Sequence, residues 1–178
     1  RVLPLSFAQQ RLWFLDQLVP GNPFYNVPFS IRLQGKLDEK ALSLAFNAIV
    51  SRHEALRTNF VKVDGQPAQI ISANVNISLP IVDLRHIPAL ERQLAAKQIA
   101  TEEAQRPFNL AADPLLRVKL LQLDESEYVL LLNLHHIVSD GWSLGVLIRE
   151  LVALYTAFAA NQPSPLSELP IQYADFAH

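Results

Sequence analysis

Hydrophobic residues recur with helical spacing in four segments of the chain, where they would form one apolar face of each helix. The predicted helices cover residues 5–18, 38–52, 88–106 and 143–160. Ser6 is the expected N-cap of the first helix with Gln9 as its capping-box partner, and Asp38 caps the second. The third helix has a weaker apolar stripe that runs through Leu90, Leu94 and Ile99. The pattern predicts helices that pack through one face against another layer.

Apolar and polar residues alternate through residues 26–34, which is typical of a strand with one buried face. The other predicted strands cover residues 58–63, 68–71, 77–82, 115–123 and 127–134. Pro28 cannot donate a backbone hydrogen bond, so it favours either an edge position for the first strand or a place at the strand's entrance. Residues 128–134 are apolar on both faces, which predicts a central strand.

The order of these elements is helix, strand, helix, hairpin, helix, hairpin, helix. This order favours an α+β two-layer sandwich, with a mixed, mainly antiparallel sheet packed by helices. Strict strand–helix–strand alternation is missing, and no glycine-rich phosphate loop is present. A doubly wound nucleotide-binding fold is therefore disfavoured.

Composition narrows the class of protein. The chain has 178 residues, half of them hydrophobic, which suits one folded domain or lobe. Its net charge of −2 gives no support for nucleic-acid binding. It has no cysteine, which excludes disulfides and thiolate zinc sites. No stretch resembles a transmembrane helix or a secretory signal, so we expect no membrane partner and a cytoplasmic location. The lack of any methionine predicts a piece of a longer polypeptide.

The strongest chemical signal lies between the predicted central strand and the last helix, where we expect a loop over residues 135–142. His135 and His136 are followed there by Asp140 and Gly141. Adjacent residues at an extended strand end point in opposite directions, so one imidazole is expected to face a cleft and the other the packing layer. An unperturbed imidazole can accept a proton at neutral pH, as acyl transfer to an amine or hydroxyl requires.

Two other interpretations of this segment remain open. Both histidines could be polar residues that close a strand end. Alternatively, His135, His136, Asp140 and His53 could supply nitrogen and oxygen ligands to a metal. The segment lacks the helical histidine pair and the adjacent glutamate of zinc hydrolases, so we expect no metal site.

A second polar segment, residues 51–60, lies where a predicted helix meets a strand. Arg52 and His53 lie near the helix C-terminus, where the helix dipole favours cations. Arg57 begins the strand, and we hypothesise that it forms a buried ion pair with Asp140 that fixes the loop. The third segment, residues 5–15, is an amphipathic helix whose aromatic residues Trp13 and Phe14 are expected in the core.

These three segments together resemble the condensation domains of non-ribosomal peptide synthetases. Residues 5–15 resemble the family's SxAQxRLWxL motif, and residues 52–60 match RHExLRTxF at every specified position. Residues 135–141 match HHxxxDG, which the wider chloramphenicol acetyltransferase-like superfamily shares. The order and spacing of the motifs fit over the whole chain. Residues 22–26 and 139–143 are most similar to the subtype that joins an L-configured donor to an L-aminoacyl acceptor.

The resemblance implies that residues 1–170 form the N-terminal, chloramphenicol acetyltransferase-like lobe of a condensation domain. Residues 171–178 would then begin the connection to the C-terminal lobe. The family's site lies in a tunnel between the two lobes, which phosphopantetheine arms of upstream and downstream peptidyl carrier proteins enter. The implied partners are that lobe and those carriers, with no cofactor bound directly. The chain alone is expected to be inactive and to expose an apolar face.

The resemblance also implies the residue roles. The acceptor amine would attack the donor thioester, with His136 as general base or orienting group. His135 and Asp140 would complete the catalytic segment as mainly structural residues, and Gly141 would keep the loop tight and offer its N–H to the oxyanion. Supporting residues outside that set would be Arg57, Arg52, Trp142 and Ser143.

Other members of the superfamily, and a non-catalytic module, are alternatives to a condensation domain. Epimerisation domains fit the RLWxL and SDGWS segments poorly, and heterocyclisation domains would carry aspartates in place of the histidines. A free-standing acyltransferase would have its own complete second lobe. The alternative from a different class is a non-catalytic module that binds a carrier protein or the partner lobe.

Overall fold

The computed structural model describes residues 1–139 and 144–176. Within these ranges seven strands and five α-helices form an α+β arrangement. The strands are β1 (Val2–Pro4), β2 (Asn26–Gln34), β3 (Thr58–Val63), β4 (Gln66–Ile71), β5 (Ile81–Asp83), β6 (Leu116–Asp124) and β7 (Glu127–His135). The helices are α1 (Phe7–Leu18), α2 (Glu39–Arg52), α3 (Ala89–Gln105), α4 (His136–Ser139) and α5 (Leu144–Ala159), with 3₁₀ turns at Glu54–Arg57 and Tyr173–Phe176.

In the described ranges the strands form two sheets. The larger has the order β2-β7-β6-β5, in which only β5 and β6 are parallel, and the smaller is antiparallel with the order β1-β4-β3. β7 lies between two partners and β2 lies at an edge, as the doubly apolar strand and Pro28 predict. The predicted α+β class with a mixed, mainly antiparallel sheet is confirmed.

Both faces of the larger sheet are covered, because successive side chains of β7 enter different cores. Leu130, Leu132 and Leu134 join the main core, which also contains apolar residues of α2 and α5. Leu131 joins a smaller core beside α3, together with Ala96. Helices therefore pack on the two faces of one sheet, and β7 has apolar residues on both of its faces for that reason.

Local sequence signals explain where the first two helices begin. The Ser6 hydroxyl accepts from the Gln9 N–H at 3.3 Å, and the Gln9 side chain accepts from the Ser6 N–H at 2.9 Å, which forms the predicted capping box. Asp38 accepts from the Ala41 N–H at 2.9 Å at the start of α2. Each cap satisfies amides that have no partner inside the helix.

Two predictions about elements are wrong in part, and one strand was not predicted. Segment 77–82 is a strand only from residue 81. The backbone of Ile77 is bound instead by the Asn47 side chain: the Ile77 N–H donates to Asn47 Oδ1 at 2.9 Å, and Asn47 Nδ2 donates to Ile77 O at 3.0 Å. The apolar stripe predicted for α3 is wrong at Leu90 and Leu94, which are 98% and 71% exposed, whereas Ile99 packs against the smaller core beside the buried Ala96. β1 has no pattern of its own and forms by pairing with β4.

The prediction of an extended loop after β7 is also wrong for its first residues, because α4 begins directly at His136. No helix of the described ranges is long and apolar enough to cross a membrane.

Candidate active site

Two strands, β2 and β6, and the residues just before them hold the end of β7, where the two histidines lie. His135 pairs with Asn26 of the edge strand, and the His135 N–H donates to Leu115 O at 3.2 Å. The His136 N–H donates to Tyr25 O at 2.8 Å as the chain turns into α4. The backbone of both histidines is therefore fixed by neighbouring segments on two sides.

The imidazole of His135 belongs to the packing layer, since the residue is only 2% exposed. Its Nδ1 accepts from the Ile137 N–H at 3.1 Å, which assigns the ring proton to Nε2. The ring packs against Phe108, edge-on with a centroid distance of 6.0 Å, and against Tyr25 at 6.4 Å. Burial, with a smaller contribution from nearby His136, lowers the pKa of His135 to about 4. His135 is therefore neutral at pH 7 and has no free acceptor nitrogen.

His136 differs from its neighbour in that its side chain is exposed. It is the first residue of α4, and the Ser139 hydroxyl donates to His136 O at 3.4 Å within that turn. The two imidazoles thus face different environments, as the adjacency argument predicts. The cause is partly the change from strand to helix between them.

The remaining predicted residues of this segment are Asp140, Gly141, Trp142 and Ser143, and all four lie outside the described residues. The hypothesised ion pair of Arg57 with Asp140 depends on one of them. The described partners of the Arg57 guanidinium are Ser51 O at 3.3 Å, Ser72 O and, at 3.6 Å, the Glu54 carboxylate. Arg57 therefore joins the end of α2 to the residue after β4.

Arg52 and His53 contact a carboxylate that the sequence analysis missed. Glu150 of α5 is buried, with Oε1 at 3.0 Å from Arg52 Nε and Oε2 at 2.6 Å from His53 Nε2. Burial lowers the pKa of His53, although Glu150 opposes this effect. Arg52 also donates to Ser167 O, so it holds the segment after α5 as well. The available signal was an acidic residue three positions after Leu147, on the apolar face of the predicted helix.

The tertiary structure brings the three sequence motifs together at α4. Helix α1 of the first motif and the 3₁₀ turn Glu54–Arg57 of the second both pack against α4, which follows β7 directly. On α1, Trp13 is 9% exposed and lies in the main core, as predicted. Phe14 is 57% exposed, so its predicted place in the core is wrong. Within the described ranges, no cluster of three or more His, Cys, Asp or Glu residues could hold a metal ion.

Comparison with known proteins identifies this arrangement. The family model for the condensation domain matches residues 1–178. The chain belongs to the condensation-domain family. This confirms the resemblance to the condensation domains of non-ribosomal peptide synthetases.

Among the relatives of this condensation-domain chain are two of the proteins that make up the linear gramicidin synthase of Brevibacillus parabrevis. The first is 51% identical over 98% of the chain, and the second is 49% identical over all of it. The phosphinothricin tripeptide synthetase PhsC of Streptomyces viridochromogenes is 47% identical over 98% of the chain. The chain spans only 2%, 4% and 16% of the lengths of these three relatives.

Solved structures show the same fold at lower identity. The starter condensation domain of rhizomide synthetase RzmA matches 99% of the chain with a TM-score of 0.89 and 23% identity. The first condensation domain of the CDA synthetase matches 95% of it with a TM-score of 0.82 and 24% identity. The chain covers 42% and 43% of those two chains.

Proposed function

We propose that residues 1–170 are the N-terminal lobe of a condensation domain and that residues 171–178 begin the connection to its C-terminal lobe. The proposal is supported by the coverage, since the chain matches about two fifths of each solved condensation-domain chain at a TM-score above 0.8. It is also supported by the contacts of the last segment. Gln172 accepts from the Glu54 N–H at 3.1 Å and donates to Arg52 O at 3.0 Å, so the chain leaves the lobe beside the second motif.

The proposed reaction of the parent domain is amide-bond formation in non-ribosomal peptide synthesis. The α-amine of an acceptor aminoacyl group, held as a carrier-protein thioester, attacks the carbonyl carbon of the donor thioester. The new C–N bond forms, the C–S bond breaks, and the donor's phosphopantetheine thiol leaves. The amine loses one proton, which ends on the departing sulfur. The donor thioester already activates the acyl group for attack, so the reaction calls for no metal or diffusible cofactor, and the acceptor thioester stays intact.

His136 is the proposed catalytic residue. The observation that carries this assignment is the contrast between the two histidines: the His136 imidazole is exposed, whereas that of His135 is buried, neutral and occupied at Nδ1. His136 is therefore the histidine that can meet an incoming amine. It either takes the amine proton or orients the amine and the tetrahedral intermediate.

The other residues of the segment act around His136 in this proposal. His135 holds the first turn of α4 through the Ile137 N–H. For the four residues that follow α4, the proposed roles come from the family resemblance alone. Asp140 has a structural role, Gly141 offers its N–H to the developing oxyanion, and Trp142 and Ser143 are supporting residues. Arg52 and Arg57 belong to the supporting structure, where Arg52 binds α5 through Glu150.

Two carrier proteins and the C-terminal lobe are the proposed partners, and the proposed subtype joins an L-donor to an L-acceptor. One solved structure is a variant of the RzmA starter condensation domain in complex with C8-CoA and Leu-SNAC. This complex supports acyl and aminoacyl ligands for the proposed site, which we place between the two lobes. Because this chain supplies one lobe, we propose that it is inactive alone.

The alternative function, binding without turnover, has one observation in its favour. The apolar side chains Phe7, Phe14 and Leu18 recur at helical spacing on α1 and are 90%, 57% and 61% exposed. Such a face favours a covering partner. Titration of the chain with loaded carrier protein tests this function, and saturable binding without peptide formation would support it.

The test of the catalytic proposal is peptide-bond formation by the intact parent domain with loaded donor and acceptor carriers. The His136→Ala variant is compared with wild type and with His86→Ala, which removes an exposed histidine outside the motif. We expect the rate of His136→Ala to fall about 10²-fold or more with folding intact, and that of His86→Ala to stay unchanged. A small effect of His136→Ala would contradict its catalytic role. A wild-type domain that forms no product would favour the binding function.

A further inference from the structure

An arginine on the larger sheet contacts the aromatic ring that packs on His135. Arg117 lies on β6 opposite Asn133 of β7, and its side chain is only 15% exposed. Its guanidinium carbon lies 3.8 Å from the centre of the Phe108 ring. At this distance the positive charge is attracted to the face of the ring. The contact therefore links β6 to the segment that follows α3.

Arg117 also binds the backbone of that segment. Nη1 donates to Pro107 O at 3.0 Å, while Nη2 donates to Arg106 O and, at 3.4 Å, to Glu103 O. A planar guanidinium can stack on a ring and donate to several carbonyls in its own plane at once, which an ammonium cannot. Together these contacts fix the chain as it leaves α3 and fix the Phe108 ring that follows. The position of that ring therefore depends on Arg117.

Phe108 passes this constraint to the histidine pair. Its ring meets the His135 ring edge-on, with 6.0 Å between centroids and 85° between planes, which is a favourable aromatic geometry. His135 in turn accepts from the Ile137 N–H at 3.1 Å, one residue after His136. A displaced Phe108 ring would leave the His135 ring room to turn and would weaken that bond. The first turn of α4 would then lose one of its attachments.

Glu103, the acidic neighbour of Arg117, has two other cationic partners. The Glu103 carboxylate lies 3.9 Å from Arg117 Nε, but it is also 2.6 Å from Lys119 Nζ and 3.8 Å from Arg106 Nη1. Glu103 therefore keeps cationic partners when Arg117 is replaced. A variant that keeps the charge of Arg117 but loses its planar fork would test the stacking and the backbone contacts.

We propose that Arg117 is a positioning residue for amide-bond formation: through Phe108 and His135 it holds the turn that carries the His136 imidazole. This inference rests on the proposed role of His136. Arg117 acts on the reaction only through other residues, so its loss changes the placement of His136 and leaves the binding of carriers as it was.

The experiment measures kcat and KM for the acceptor carrier in the intact parent domain. The variants are Arg117→Lys, Phe108→Leu, the two combined, and Arg32→Lys as the matched control. Arg32 also lies on the larger sheet, but it is 56% exposed and pairs with Glu127. We expect Arg117→Lys and Phe108→Leu each to lower kcat about 10-fold to 100-fold at unchanged KM, since a displacement of about 1 Å can cost 10²-fold. The kcat of the combined variant should fall no further than that of the worse single variant, because both substitutions disrupt the same series of contacts from Arg117 through Phe108 to His135.

Each result separates the two proposals. A wild-type kcat for Arg117→Lys, or additive losses in the combined variant, would overturn the positioning role. If Arg117→Lys does not fold, Phe108→Leu decides, because it keeps the backbone contacts and removes only the ring. His136→Ala is measured in parallel. If that variant keeps the wild-type rate, the assignment of His136 fails, whereas an inactive His136→Ala beside an active Arg117→Lys contradicts only the positioning role.

Discussion

Lowering the pH should destabilise the fold through His135. Its pKa is lowered to about 4 by burial, against about 6.5 for an unperturbed histidine in the unfolded chain. The folded state therefore favours the neutral ring. The stability this provides is fully present above pH 6.5 and is lost as the pH falls towards 4.

The magnitude follows from the difference between the two pKa values. A difference of about 2.5 units corresponds to about 3 kcal/mol over the full range, and about 2 kcal/mol of it is lost between pH 7 and pH 5. The residue is 2% exposed, so solvent screening does not reduce this figure much. The pKa of His53 is also lowered by burial, which adds a loss of the same sign.

The assay is urea denaturation of the condensation domain at pH 7 and at pH 5, for wild type and for His135→Asn. The asparagine side chain can still accept from the Ile137 N–H but does not titrate. We expect wild type to lose about 2 kcal/mol more unfolding free energy than His135→Asn over this interval. His53 contributes equally to both proteins and cancels. The control His86→Asn removes an exposed histidine and should follow wild type. Equal losses for wild type and His135→Asn would refute the assignment of a buried, neutral His135.

Three further predictions concern the contacts around the motifs, all measured as changes in the free energy of urea unfolding. Glu150→Ala should cost about 3–5 kcal/mol, because Arg52 and His53 would lose their buried carboxylate partner. The control Glu125→Ala removes an exposed ion pair and should cost at most about 1 kcal/mol. Equal costs for the two variants would contradict this account. Arg57→Ala should cost about 1–3 kcal/mol and lower activity, since two backbone carbonyls lose their donor, and unchanged stability and activity would exclude a structural role. Trp13→Ala should cost about 3–5 kcal/mol, whereas Phe14→Ala on the same helix should stay within about 0.5 kcal/mol, and similar costs would place both rings in the core.

Local patterns in the sequence were sufficient for most elements. The alternation through residues 26–34 predicts β2 with its observed bounds, because one face of this edge strand is half-buried against the core and the other is exposed. The caps Ser6 and Asp38 predict the starts of α1 and α2, since a capping side chain and the amide it binds are separated by only three residues. These interactions are local, so spacing along the chain reveals them.

The motifs likewise could be recognised from residue identity and order. They identify the family and single out His136, His135, Arg52 and Arg57. The difference between the two histidines could be predicted only as opposite directions. Which of them is buried depends on Phe108 and Tyr25, which lie far from the pair in sequence.

Other features depended on contacts between distant segments. In the sequence Glu150 is one acidic residue on an apolar helix face. Its partner Arg52 lies 98 residues earlier in the chain, and only the packing of α5 beside the end of α2 brings the two together. Leu90 and Leu94 have helical spacing, but α3 packs through the opposite side, where Ala96 permits close approach to the sheet.

The sequence by itself determined the class of fold, most element bounds and the family, because caps, periodicity and motifs act over a few residues. It also singles out the residues that are proposed to carry the chemistry. The tertiary structure alone decided which histidine is buried and neutral, which face each helix uses, and which carboxylate holds Arg52. It also decided that Arg117 reaches His135 through Phe108. Burial and pairing depend on the packing of segments remote in sequence, and no spacing along the chain encodes that packing.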